Sequence, residues 1–192
     1  MHSRSLALRN LRKQGGFTIV ELLTVIAVIT ILAIVSIFAV PPLIISGKVG
    51  PSATELTRGM QKMRINSEGS GLTPYAAVTT STLANQMRGG SVFTVTGSGT
   101  GATLQHSLKL LGTGNVTVAP GTLVTAGDAY DITVLTSGDA ACPGLAASVQ
   151  RSAEVITING VSVKTAGGKY NGAAASDACT LLDTNTFVFT AS

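Results

Sequence analysis

From Leu22 to Gly47 the chain has no charged side chain, and its apolar residues occupy every face a helix could present. The stretch Leu22–Val40 alone is 19 residues. At about 1.5 Å per residue it extends roughly 28 Å, close to the ~30 Å hydrocarbon core of a bilayer, so one membrane pass fits. Pro41-Pro42 then interrupt the pattern, with Gly47, Gly50 and Pro51 close behind. Proline lacks an amide donor and crowds the preceding turn, which predicts a kink or a locally extended stretch between about Val40 and Ser52. Helical periodicity resumes after it. Leu56, Met60 and Met63 fall at i, i+4 and i+7, with Arg58, Lys62 and Glu68 off that stripe. Such a stripe packs on a core, here that of a following globular domain.

Beyond Gly71 the chain becomes rich in Gly, Thr, Ser and Ala, and the remaining length suffices for one compact domain. Thr82–Met87 reads as a short helix stopped by Gly89-Gly90. Val92–Thr96 and Tyr130–Leu135 alternate and are rich in β-formers, and Phe187–Thr190 reads as a last strand. Val155–Ile158 and Val161–Lys164 flank Asn159-Gly160, the residue pair that a type I′ hairpin turn favours. A small helix fits between Ala140 and Arg151, with Pro143-Gly144 in its first turn. There is no internal repeat, and no linker long enough to set off a second globular domain.

Charge redraws the N-terminus. The sequence is formally +4 with a pI near 9.3. Arg4, Arg9, Arg12 and Lys13 all precede Gly15-Gly16, where no residue is acidic, leaving nine basic against nine acidic residues from Phe17 onward. The basicity therefore belongs to residues 1–16, and no nucleic-acid partner is predicted. Basic residues before an apolar span are the layout of a removable leader held on the cytoplasmic side. An ordinary secretory signal has its small residues after the apolar stretch; here they come before, so cleavage would leave the helix on the mature protein. Glu21 stands at the head of that helix. A charge at mid-membrane costs roughly 2.5–3.5 kcal/mol on insertion scales, so this carboxylate needs a partner or a task. A flexible joint before a signal anchor, and an acid snorkelling to the interface, are the plainer alternatives for the glycine pair and for Glu21.

At Gly16, Phe17 and Glu21 the chain resembles the type IV pilin family, whose prepilin signature is a basic leader, a glycine, a bulky apolar residue and a glutamate at the fifth mature position. The resemblance implies that a prepilin peptidase cuts after Gly16 and methylates the new amine of Phe17. It also implies that Glu21 neutralises the N-terminal amine of Phe17 in an adjacent subunit. Two opposite charges ~4 Å apart attract by about 4 kcal/mol at an effective dielectric near 20, enough to favour one helix stagger over others. The implied fold is α+β: a long N-terminal hydrophobic helix, kinked or melted near Pro41 and Pro42, packed on an antiparallel β-sheet head. The expected organisation is a cleaved leader over 1–16, a transmembrane and filament-core helix over 17–51, and a head over 52–192. Asn85–Val92, Tyr130–Val134, Ala141-Cys142, Ile156–Gly160 and Ala178-Cys179 are similar, in order, to the type IVb pilins of thin conjugative pili, the PilS-like group. The short leader and Phe17 depart from the type IVb pattern.

Cys142 and Cys179 are the two cysteines, both in the half expected outside the cytoplasm. An even count in an exported domain reads as one disulfide, with free or catalytic thiols as the competing reading. By resemblance, such a bridge encloses the variable D-region of a pilin. Enzymatic signatures are missing: there is no phosphate-binding Gly-rich loop, HExxH or GxSxG. His106 lacks an identifiable nucleophile or orienting acid and reads as an exposed loop or helix histidine. Asp128, Asp131 and Asp139 lack the glycine and terminal glutamate of an EF-hand, and aspartates serve turns for ordinary reasons. Asn115-Val116-Thr117 fits a glycosylation acceptor by chance.

The expected protein is thus a major pilin, not an enzyme, with no cofactor, metal or small-molecule substrate. Its expected partners are copies of itself, the inner membrane before assembly, prepilin peptidase and the pilus assembly machinery. Its expected location is the inner membrane of a Gram-negative bacterium, then an extracellular filament serving conjugation or adhesion. A minor pilin or a type II secretion pseudopilin is the alternative within the superfamily, and a signal-anchored periplasmic binding or enzymatic domain the alternative outside it.

Overall fold

A computed structural model of the protein describes residues 16–67 and 71–192; Arg4, Arg9, Arg12, Lys13, Gly15 and Glu68 lie outside them. The chain divides into two compact units at Phe38/Ala39. In the first, helix α1 begins at Ile19 and its apolar side chains as far as Ile37 are exposed. The second contains the rest of α1, which ends at Ser67, and the whole sheet. It starts at Ala39. Ile45 and Ser52 are already buried, and Val49 packs on the core.

Of the kink or extended stretch expected at Pro41 and Pro42, the extended stretch is not formed. Residues 19–67 are α-helical without interruption, with Pro41, Pro42 and Pro51 inside. Each proline removes an amide donor and costs roughly 3 kcal/mol in a helix interior, but its fixed φ is itself helical. Packing on the head offsets that cost. Ile45, Ala53 and Leu56 are buried, Lys48 Nζ donates to the Ser107 carbonyl at 3.2 Å, and Ser46 Oγ donates to the Pro42 carbonyl at 2.9 Å.

Further along α1 the predicted stripe is the core. Leu56, Met60 and Met63 are at most 1% exposed and join one apolar cluster with Phe93, Ile132, Phe187 and Phe189. Burying each is worth roughly 1.5–3 kcal/mol. Tyr130 Oη donates to the Met60 carbonyl at 3.0 Å, and the Tyr75 ring stands 4.7 Å from that of Tyr130. Burial pushes the Tyr130 phenol well above its ordinary pKa.

Helix α2 (Thr80–Gln86) leads into strand β1 (Phe93–Thr96), followed by β2 (Thr103–His106), β3 (Gly114–Thr122) and β4 (Ala126–Ser137). Helix α3 (Gly144–Val149), the hairpin β5 (Val155–Ile158) and β6 (Val161–Lys164), helix α4 (Gly172–Ala178) and β7 (Asn185–Ala191) complete the chain. The seven strands form one antiparallel sheet, ordered β1-β2-β3-β4-β7-β5-β6. The C-terminal strand thus joins the two halves.

The expected hairpin turn is present: Asn159 and Gly160 have φ of 51° and 81°, left-handed at both positions as a type I′ turn requires. Strand β3 was not expected, since Gly114, Pro120 and Gly121 make it read as a loop. Its burial nevertheless alternates, with Val116 and Val118 inward and Thr117 and Ala119 outward. Pro120 is tolerated because β2 pairs only with Gly114–Val116, leaving that edge of β3 free of a ladder at Pro120.

His106, expected on an exposed loop or helix, is fully buried on β2. Its Nε2 donates to the Leu135 carbonyl at 2.7 Å, and its Nδ1 accepts from the Leu108 amide at 3.1 Å. A Cβ at the opposing Gly114 would overlap the imidazole, so the glycine makes room for the ring. Both nitrogens are used by a neutral ring. Burial depresses the His106 pKa, although the Leu135 carbonyl pulls the other way.

The sign of the resulting pH dependence follows from linkage. A neutral folded imidazole contributes its full stability above the unfolded pKa of about 6.5 and loses it as pH falls from there toward the lower folded value. The unfolding midpoint is expected to fall as pH is lowered from about 7 to about 5. In His106→Gln, whose side chain cannot charge, this slope should flatten although the fold is less stable throughout; thermal melts followed by circular dichroism check both.

Candidate assembly interface

Gly16, Phe17 and Thr18 precede α1, and Phe17 is 82% exposed. Thr18 caps the helix: its Oγ1 accepts the Glu21 amide at 3.2 Å, and its carbonyl accepts the Leu22 amide at 3.1 Å. Thr18-Ile19-Val20-Glu21 has the S/T-x-x-E spacing of a capping box, a signal readable in the sequence. Glu21 lies in the first helical turn, where the helix dipole favours an anion. Among the described residues, no hydrogen bond or ion pair reaches its carboxylate.

The other polar side chains of the apolar run are satisfied within the helix. Thr24 Oγ1 donates to the Glu21 carbonyl at 2.8 Å, Thr30 Oγ1 to Ile26 at 2.8 Å and Ser36 Oγ to Leu32 at 2.7 Å. These back-bonds let hydroxyls enter an apolar environment without an unmet donor. Around them, Leu22, Ile26, Ile29, Leu32 and Val35 are each more than half exposed. The helix therefore offers an uncovered apolar surface with one acid at its head.

Cys142 and Cys179 form a disulfide, with their Cα atoms 6.0 Å apart. It encloses α3, the β5–β6 hairpin and α4. Beyond it, the buried Asn185 organises the chain. Its Oδ1 accepts from the Thr180 amide at 2.8 Å and from Asn159 Nδ2 at 3.0 Å, while its Nδ2 donates to the Thr180 carbonyl at 2.8 Å. The Asn159 side chain also accepts from the Thr186 amide and donates to the Ala178 carbonyl, both at 2.8 Å. The hairpin turn, the end of α4 and β7 are thus tied at one point. Neither asparagine's tertiary role was visible beforehand, because, Thr180 aside, the partners lie 19 to 48 residues away.

Glu55 was also not foreseen. From α1 it receives the amides of Ser91, Val92 and Phe93 at 2.6, 3.2 and 3.0 Å and the Ser91 hydroxyl at 2.7 Å. Partial burial works against its charge, but the Phe93, Ser91 and Val92 donors prevail and hold its pKa below the ordinary value. Asp128 serves a turn, as expected of these aspartates, accepting the amides of Leu123, Val124 and Thr125 at 2.8 Å each. No cluster of metal-ligating side chains exists among the described residues.

Comparison with known proteins follows the same division of the chain. The prokaryotic N-terminal methylation motif matches residues 11–37, across Gly16, Phe17 and Glu21. The domain described as PilS N terminal matches residues 54–192. No curated protein matches the chain. Among solved structures it is similar to the type IV b pilin from Salmonella typhi, with 27% identity and a TM-score of 0.52, covering 71% of this chain and 95% of that one. A long N-terminal helix followed by an antiparallel sheet agrees with that fold.

Replacing both Cys142 and Cys179 by serine is expected to cost roughly 2–4 kcal/mol of stability, because the bridge restricts the unfolded chain. Urea unfolding of the detergent-solubilised protein measures the loss.

Proposed function

The chain belongs to the PilS family of type IV pilins, and from that premise we propose that it is the major structural subunit of a type IV pilus. It enters the inner membrane of a Gram-negative bacterium as a prepilin, is cut by prepilin peptidase after Gly16, is methylated at Phe17, and polymerises with copies of itself into a helical extracellular filament that serves conjugation or adhesion. The observation that carries the reading is the uncovered apolar helix, whose Glu21 carboxylate has no partner among the described residues, on the stretch that matches the methylation motif.

The chemistry joins processing to assembly. Before cleavage the nitrogen of Phe17 is an amide and has no charge to offer. Hydrolysis of the Gly16–Phe17 bond creates an amine, and methylation leaves it cationic at neutral pH. In a bundle of such helices, the amine of one subunit is the natural counter-ion for Glu21 of the next. Withdrawn from water, a paired carboxylate and ammonium avoid the cost of burying either alone, so the stagger that pairs them is preferred. The apolar faces exchange lipid for one another with little net change in solvation, which leaves packing and the charge pair to set the register.

Mass spectrometry of the mature N-terminus tests the processing step: the expected terminal residue is N-methylated Phe17, and a chain still beginning at Met1 overturns it. Glu21→Ala should insert into the membrane and be cleaved as the wild type is, while sheared filament yield drops by about tenfold or more, the scale of one lost intersubunit charge pair. Wild-type filament yield from this variant would refute the pairing.

A further inference from the structure

Four leucines lie on two loops that a single carboxylate holds together. Leu111, Leu181 and Leu182 are 80%, 79% and 66% exposed, and Leu110 is 36% exposed. Asp183 accepts the Leu110 amide at 2.6 Å and the Leu111 amide at 3.3 Å, joining the segment after β2 to the segment before β7. Leu182 has φ of 66°, a left-handed conformation that an L-residue adopts only against steric resistance. Neither loop turns its leucines into the core.

Their place beside α1 gives the patch a direction. Pro41, Ile44 and Lys48 line a shallow groove with Lys109, Leu110 and Gly112. A Cβ on Gly138 would meet Ile45 Cδ1, the Leu108 carbonyl and Asp183 Oδ1 within 3.2 Å, so helix and both loops converge there. All these residues belong to the second compact unit. In the sequence, Leu22–Val40 fills the hydrocarbon core. Pro41–Lys48 then extends about 10 Å further, while each headgroup layer is roughly 5–8 Å deep. The two loops therefore flank the part of the helix that traverses the headgroups.

The charges fit a membrane surface. Lys48 and Lys109 line the groove with Leu110, and the ammonium of Lys48 uses one of its donors on Ser107. Of the nearby acids, Asp183 is occupied by backbone amides, and Asp139 Oδ1 accepts the Ala140 amide at 2.8 Å. Exposed leucines next to cations, at the depth of lipid phosphates, are the composition of an interfacial anchor.

We propose that this end of the head is a membrane foot. Before assembly, Leu110, Leu111, Leu181 and Leu182 insert at the boundary between headgroups and acyl chains of the bilayer that α1 spans, with Lys48 and Lys109 against anionic phospholipid phosphates. The proposal rests on the reading of α1 as a membrane span. The foot limits how far the subunit can rock about its helix, and extraction into a filament must lift it from the lipid.

The chain contains no tryptophan, so single-tryptophan variants report depth directly. The full-length protein is placed at one chain per nanodisc of phosphatidylethanolamine and phosphatidylglycerol, with bromine carried either near the glycerol backbone or at the acyl-chain ends. Leu111→Trp and Leu181→Trp, on separate exposed loops, should each lose roughly half of their emission to the shallow bromines, as expected of side chains buried about 5–10 Å into the interface. Val124→Trp, on an exposed turn, should lose none. If both loop tryptophans behave like Val124→Trp while Ile31→Trp is quenched by the deep bromines, the span stands and the foot is refuted. If Ile31→Trp is unquenched as well, span and foot fall together. If the loop tryptophans become shielded only when several chains share a disc, a second copy is the cover, and the lipid foot is overturned.

Discussion

An α-helix that is apolar on all sides for its first half and along one stripe for its second must be covered by two different things. The second half has its cover within the chain. Leu56, Met60 and Met63 enter the core of the head, Tyr130 bonds the Met60 carbonyl, and Glu55 grips the loop ahead of β1. The first half has none, and lipid or other helices must supply it. Both surroundings act on one unbroken element, so the conditions at Glu21 and at the sheet belong to the same helix.

That demand accounts for the treatment of polar groups along α1. Hydroxyls in the apolar run bond back to their own helix and need no water. The prolines give up amide donors, yet the helix continues where the head packs against it. Within the apolar run, the hydroxyls are thus satisfied, whereas the Glu21 carboxylate at its head has no partner among the described residues. In water such a group would be unremarked, but in an apolar setting it is the strongest specificity element available, since one geometry relieves it and others do not.

The head is built with few charges, 11% of the whole chain, and most of those discussed act on the backbone. Glu55, Asp128 and Asp183 each accept amides from a loop, and Lys164 donates to the carbonyls of Gln150 and Ala153 at 2.7 and 2.6 Å, closing the end of α3. Charge-assisted bonds of this kind replace side-chain ion pairs as loop fasteners. With the disulfide and the Asn159–Asn185 contact, they hold a Gly- and Thr-rich chain whose local propensities specify little.

The sequence by itself determined what depends on residues near one another along the chain. The apolar run, the Gly16–Phe17–Glu21 signature, the Leu56–Met60–Met63 stripe and the Asn159-Gly160 turn were legible because helix period, leader charge and turn chemistry are local. Tertiary structure decided the rest. Local proline chemistry called for a kink or an extended stretch near Pro41 and Pro42, and packing distant in sequence keeps that backbone helical. His106 looked like a surface residue, yet a glycine on the neighbouring strand and a carbonyl 29 residues away make a buried seat for it. Strand β3 emerged from a loop-like composition because Val116 and Val118 find a core that no window of the sequence contains. The Glu55–Ser91, Asn159–Asn185 and Leu110–Asp183 contacts likewise lie across long stretches of chain, where only a fold can bring donor and acceptor within about 3 Å.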